Sequence, residues 1–238
     1  MTQQGFGSIA VLTGAGISAE SGVPTFRGEN GLWRQYRAEE LATPWAFQRD
    51  PTLVWEWYDW RRGLIASCAP NAAHQTLVEM DRRCQNFMLV TQNVDGLHQR
   101  AGSERVLELH GNIWQVRCTE ENTVFENHDV PLHQVPPGCS CGALLRPHVV
   151  WFGETLDPET LGAAYRAVEG CDLMLVVGTS AVVQPAASLP AMAKDRGAYL
   201  IEINLEKTPL SAYADEVILG AAAEELPKLW LRLEESLC

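Results

Sequence analysis

The sequence predicts an α/β fold: a mainly parallel, Rossmann-like sheet with a smaller inserted lobe, formed by a helical part and a cysteine-containing module. Three observations lead there. Apolar runs of strand length recur along the chain, spaced widely enough for intervening helices. The first run leads directly into Gly14-Ala15-Gly16-Ile17-Ser18-Ala19, the spacing of a phosphate-binding turn between a strand and a helix. Residues 113–152 break the pattern with Cys118, Cys139, Cys141, histidines and a cluster of prolines and glycines.

In chain order, residues 9–12 read as a buried strand. In the turn after it, Gly14 permits a tight bend, Gly16 lets backbone N–H groups approach a pyrophosphate, and small Ala19 lets the helix sit close to the sheet. About twenty residues on, an ordinary dehydrogenase would show a strand ending in an acid. Here residues 32–40 read as helix, which disfavours that class. Residues from about 35 to 70 read as helical, with Asp50 as N-cap and Pro51 at the first helical position. Further strands fall at 87–90, 173–177, 200–203 and 217–219, with another candidate at 106–109. The end of the chain places Leu226, Leu229, Trp230 and Leu233 on one helical stripe, the pattern of core packing. The sheet lobe is expected over about 1–34, 85–112 and 153–238, and the small lobe over about 35–84 and 113–152.

Bulk properties bound the function. The chain has 238 residues, 46% of them hydrophobic, and no apolar run approaches transmembrane length. A formal charge of −12 argues against a nucleic-acid partner held by a basic patch. Seven cysteines, an odd number without the spacing of a small secreted domain, favour reduced thiols. With no signal-peptide pattern at the N-terminus, a cytoplasmic protein is expected, and a monomer.

The strand ends carry the chemistry. Residues 87–90 run into Thr91-Gln92-Asn93-Val94-Asp95-Gly96-Leu97-His98, and His110 follows within Leu109-His110-Gly111. Two amides, a carboxylate and an imidazole gather where open α/β sheets bind their ligands. The strand at 173–177 ends in Gly178-Thr179-Ser180, and that at 200–203 in Asn204-Leu205-Glu206, groups suited to phosphate and ribose hydroxyls.

These residues resemble the sirtuins, NAD-dependent protein lysine deacylases. The matching stretches are Gly14 to Gly28, Thr91 to Gly96, His110-Gly111, Leu145 to Glu154, Gly178-Thr179-Ser180 and Ile203-Asn204, in family order over nearly the whole chain. Many members carry an acid where this chain has Thr25, which points to a subgroup. The resemblance implies NAD lying across the strand ends, with Gly14, Ala15, Gly16, Thr179 and Ser180 around the pyrophosphate and Asn204 near the adenine ribose. Asn93 and Asp95 would hold the nicotinamide end, and Phe26 would cover the vacated face. Ser18, Ala19, Glu20, Arg27, Trp33, Gln92, Val94, Gly178, Leu205, Glu206 and Ala222 complete the implied cofactor contacts, with Thr25. His110 would act as general base on the ribose hydroxyls, giving free lysine, nicotinamide and O-acyl-ADP-ribose. The acylated-lysine segment of a protein substrate would add as a strand, clamped by Val150, Trp151, Phe152, Gly153 and Glu154. Plain packing of the small module is the alternative for Trp151 and Phe152. A non-catalytic NAD or ADP-ribose sensor and an ADP-ribosyltransferase stay open as other functions.

Two features go beyond the family label. Sirtuins commonly hold a structural zinc with two cysteine pairs, whereas here three thiols, Cys118, Cys139 and Cys141, survive. Glu121, His128 or His133 completes the set, or the module folds without metal. In the helix starting at Pro51, Val54, Tyr58, Arg61 and Ile65 share one stripe. Sirtuins that remove succinyl and malonyl groups carry Tyr-x-x-Arg there, with a small residue matching Ala38, so the resemblance implies an acidic acyl substrate besides acetyl. An internal salt bridge from Arg61 to Glu39, Glu40 or Asp59 is the competing explanation.

Overall fold

A computed structural model describes residues 6–24, 32–33 and 36–237. Strand β1 (Ile9–Thr13) runs into the one-turn helix α1 (Gly16–Ala19). A short antiparallel pair, β2 (Leu32–Trp33) and β3 (Tyr36–Arg37), precedes α2 (Ala38–Leu41), α3 (Pro44–Arg49), α4 (Pro51–Ala66) and α5 (Ala72–Arg83). Then come β4 (Phe87–Thr91), α6 (Leu97–Ala101), β5 (Val106–Glu108), β6 (Gly111–Cys118), β7 (Val124–Glu126) and β8 (Leu145–Val149). The chain closes with α7 (Pro158–Glu169), β9 (Leu173–Val177), α8 (Leu189–Asp195), β10 (Tyr199–Asn204), β11 (Glu216–Leu219) and α9 (Ala222–Leu237).

All six expected strands join one parallel sheet in the order β11-β10-β9-β1-β4-β5. Strand β1 lies between β9 and β4, so the chain leaves it first to one side and later to the other. A crevice opens beyond the carboxyl ends at such a reversal. One face of the sheet packs Val11, Leu89 and Leu175 against Leu77 and Met80 of α5 and Leu226 and Trp230 of α9. The other packs Leu12, Val90 and Val176 against Ala164 and Val168 of α7 and Leu189 and Ala193 of α8.

The two insertions share a third core. Trp55, Trp57 and Tyr58 of α4 pack with Ile113, Trp114, Val116, Leu145 and Trp151. The Trp55 indole donates to the Leu145 carbonyl (2.8 Å), and Leu132 N donates to Asp59 Oδ1 (2.9 Å), tying the helical part to the cysteine module. Buried Arg62 adds bonds to Asn127 and to the Asp129 carbonyl.

Two expectations need correction. Residues 32–40 are not helical throughout: Leu32–Trp33 pairs with Tyr36–Arg37 as strands. The stretch from 35 to 70 is three separate helices, because Thr43-Pro44 starts a helix just as Asp50-Pro51 does. Thr43 and Asp50 both cap with their side chains, accepting from Ala46 N (3.0 Å) and Leu53 N (2.9 Å). The small-lobe segment drawn to 84 is also too long, since Ala73, Leu77, Met80 and Cys84 lie in the sheet core.

Candidate active site

The turn after β1 is built by contact with the turn after β9. Gly14 N donates to the Val177 carbonyl (3.1 Å) and Gly16 N to the Gly178 carbonyl (2.8 Å). A Cβ on Gly14 would sit 2.7 Å from Thr179 Cβ, and one on Gly16 2.7 Å from Gly178 Cα. Both glycines are thus required by packing between the two turns. The Gly16 N–H itself is taken by the Gly178 carbonyl. Ile17, fully buried, seals α1 to the sheet, while Ala19 is only half-buried. Ala15 and half-buried Ser180 flank the same opening.

Thr179, Gln92 and Asn204 knit three strand ends together. Gln92 Nε2 donates to Thr179 Oγ1 (2.9 Å), and Asn204 Nδ2 donates to the Thr179 carbonyl (2.8 Å). Leu205 and Glu206 beyond them are exposed. Glu20 and Ala222, expected as cofactor contacts, have structural positions. The Glu20 carboxylate accepts Ala223 N (2.7 Å) in the first turn of α9, and Ala222 packs into the sheet core. Thr25, Phe26 and Arg27 lie outside the described residues, and Trp33 and Ala38 are placed by their backbone alone.

Beyond β4, Asn93 and Asp95 are held on every side. Asn93 Nδ2 donates to the Gly14 carbonyl (3.1 Å) and towards Ser18 Oγ (3.3 Å), leaving Oδ1 as its acceptor. Ser18 Oγ donates to Asp95 Oδ2 (2.7 Å), and Leu97 N to Asp95 Oδ1 (2.9 Å). Burial raises the Asp95 pKa, opposed by those two donors and by the charges of Arg61 and Arg100. Val94 turns into the small-lobe core.

Across the crevice, His110 Nδ1 lies 2.9 Å from the Gln92 carbonyl. A carbonyl only accepts, so Nδ1 carries the proton and Nε2 is left with a lone pair. Burial pulls the His110 pKa below its ordinary value, partly offset by this hydrogen bond. At neutral pH the ring is therefore a neutral base. It is tied to the segment that follows β8, since Val150 N donates to the His110 carbonyl (2.9 Å).

Two buried histidines behind this site were not singled out from the sequence. His74 and His98 pack with tilted rings, centroids 4.9 Å apart, and burial drives their pKa values down to about 4 and about 3. His74 Nε2 approaches Ser18 Oγ (3.5 Å), and His98 Nε2 meets Thr13 Oγ1 (3.0 Å), which donates to Thr91 Oγ1 (2.8 Å). The signal was a histidine on the apolar stripe of α5 beside Leu77 and Val78, which reads as core until its neighbours are known.

The stripe on α4 faces inward: Val54, Tyr58 and Ile65 are buried and Arg61 is partly so. Tyr58 Oη accepts from the Trp151 indole (2.9 Å), which keeps the phenolic hydrogen available for donation. Burial lifts the Tyr58 pKa to about 12, so the phenol stays neutral. Arg61 stacks 5.1 Å from the Trp57 ring centre; burial lowers its pKa, opposed by Tyr58 and Asp95. Of the acids nearby in sequence, Glu40 accepts Arg37 N (2.7 Å) and Asp59 accepts Leu132 N (2.9 Å). Glu154 is held by Arg146 (2.6 and 2.9 Å), whose guanidinium covers the Trp151 ring at 3.5 Å. Trp151 is thus packed inside, whereas Phe152 is 48% exposed and Gly153 supplies the turn at φ +89°.

The comparisons agree with this geometry. A family model described as Sir2 family matches residues 14–185. The chain is 55% identical over 229 residues to the NAD-dependent protein deacylase of Aquifex aeolicus, 96% of each chain. It is 57% identical over 205 residues to NAD-dependent protein deacylase 1 of Caldanaerobacter subterraneus, 86% of this chain and 85% of that one.

The chain belongs to the Sir2 family.

Among solved structures, a Sir2 homologue in complex with NAD superimposes with a TM-score of 0.92 at 51% identity, covering 97% of this chain and 90% of that one. A Sir2 complex with p53 peptide and NAD+ gives 0.87 at 32% identity, covering 97% and 95%.

In this Sir2 protein the cysteine module gathers a metal-like donor set. The ligand atoms of Cys118, Glu121, Cys139 and Cys141 all lie within 4.8 Å of one another. Glu121 N also points at Cys118 Sγ (3.4 Å), and Cys118 and Cys141 sulfurs are 3.5 Å apart. Three thiols and a carboxylate at this separation suit tetrahedral zinc. His128 stacks on Trp114 and His133 is turned to Asp129, so neither joins the set.

Proposed function

We propose that this Sir2-family enzyme removes succinyl and malonyl groups, besides acetyl, from protein lysine side chains. NAD-dependent protein deacylation itself is the activity of the chain. The observation carrying the acidic-acyl reading is the Tyr58–Arg61 pair on the inward face of α4, with the Trp151 indole donating to Tyr58 Oη so that the phenolic hydrogen is left to donate. Standing one turn apart on that face, the two side chains would give an acyl carboxylate two parallel bonds from Arg61 and one from the Tyr58 hydroxyl.

Bound NAD supplies an electrophilic ribose carbon and nicotinamide as leaving group. Asp95 would accept a hydrogen bond from the carboxamide, and Asn93 would hold the ribose side through Oδ1. His110 Nε2 would take the proton from a ribose hydroxyl once that carbon bears the acyl oxygen. Gly14, Ala15, Gly16, Gly178, Thr179, Ser180 and Asn204 would line the remainder of the cofactor. Val150, Phe152 and Gly153 would edge the peptide groove. Rates on one peptide carrying succinyl-, malonyl- or acetyl-lysine, with products identified by mass, test the reading. Activity confined to acetyl-lysine would reject it.

The same reading assigns zinc to Cys118, Glu121, Cys139 and Cys141, and a cytoplasmic monomer in which the thiols stay reduced. The described cysteines outside the cluster, Cys68, Cys84 and Cys171, form no disulfide. Structural zinc contributes folding free energy directly. Untagged protein should therefore carry about one zinc per chain, and chelation should lower the thermal midpoint. A content well under one, with the midpoint unmoved, would mean that the module folds without metal.

A further inference from the structure

We propose that Glu108 is a positioning residue for nicotinamide release: acting as a carboxylate through Asn112 and Trp114, it fixes the Asp95–Gly96 turn. Glu108 is the last residue of β5, paired in register with Thr91 at the end of β4. Asn112 Nδ2 donates to Glu108 Oε1 (2.7 Å), which turns Asn112 Oδ1 towards Trp114 N (2.9 Å). The Trp114 indole then donates to the Asp95 carbonyl (2.8 Å). Its ring lies so close under Gly96 that a Cβ there would be 2.8 Å from Trp114 Cδ1. Asn112 and Trp114 are both buried, so the linkage runs through packed groups. It ends on the backbone of the residue assigned to the nicotinamide carboxamide, and the inference rests on that assignment.

The chemistry of the brace sets its protonation state. Asn112 and the Gln99 side chain both donate to Glu108, a pattern that suits a carboxylate and leaves a carboxyl O–H in competition with them. Burial opposes ionisation, the two donors favour it, and Asp95 and Glu126 facing the group oppose it again, leaving its pKa pushed up to about 7. The brace therefore tightens as pH rises through neutrality and loosens on acidification.

The readout is exchange of labelled nicotinamide into NAD in the presence of an acetyl-lysine peptide, which does not call on His110 as a base. In the wild-type protein this rate should rise through an inflection near pH 7. Glu108→Gln keeps the shape but cannot ionise, so its exchange should be flat from about pH 6 to 9. At the alkaline end it should lie roughly three- to tenfold below wild type, the size of one ordinary hydrogen bond. Asn112→Ala, which cuts the same linkage one step later, should flatten the profile too and decides the matter if Glu108→Gln does not fold. A wild-type inflection retained at full amplitude in either folded variant, or absent from wild type, overturns the proposal. Asp95→Asn measured alongside separates the two assignments. Exchange surviving in Asp95→Asn rejects Asp95 as the nicotinamide holder. Its loss there, with a wild-type profile in Glu108→Gln, rejects Glu108 alone.

Discussion

His110→Ala should lower deacylation by at least ~10²–10⁴-fold, the range of general-base assistance, while NAD binding and nicotinamide exchange persist. Nδ1–H is committed to the Gln92 carbonyl at 2.9 Å, so the ring presents a single basic nitrogen in a fixed orientation. Removing it takes away the base without touching the Thr179, Gln92 and Asn204 bonds that shape the cofactor crevice. The pH profile gives an independent check. A general base at this place works as the neutral ring, and burial has moved the His110 pKa below the ordinary histidine value of 6.5. Deacylation should therefore lose its base only on acidification below that value, beneath the Glu108 inflection. Equal losses of exchange and deacylation in His110→Ala would make the residue structural.

The sheet was legible because buried parallel strands write themselves as apolar runs. Residues 9–12, 87–90 and 173–177 each lead into the small or polar groups that face the crevice, and the structure extends them by at most a residue. The destination of a helix is not written in the same way. The stripe of α5 announces that Ala73, Leu77 and Met80 are buried, but not that they meet the sheet and α9 instead of the small lobe. Thr43-Pro44 carries the signal of a helix start, but the apolar spacing continues across it and masks the break. The roles of Gly14 and Gly16 depend on Gly178, more than a hundred and sixty residues away, and no local pattern carries such a contact. Sequence could not choose a side chain to stand beside the three thiols; the fold brings Glu121 to them and turns His128 and His133 elsewhere.

Arg61→Met bears most directly on what distinguishes this enzyme. Methionine keeps the length and apolar contact of the side chain against Trp57, so the packing of α4 is preserved while the charge is lost. A hydrogen bond to a charged group is worth ~1.5–3 kcal/mol, which converts to roughly a ten- to a hundredfold loss of kcat/KM towards an acyl group that uses it. An acetyl group has no carboxylate for Arg61 to hold. The measurement is kcat/KM for succinyl-lysine and acetyl-lysine versions of one peptide, in wild type and Arg61→Met, at saturating NAD. The expected result is a ten- to hundredfold fall for succinyl-lysine with the acetyl-lysine value within about twofold of wild type. A parallel fall for both substrates would make Arg61 a structural residue and contradict the acidic-acyl assignment.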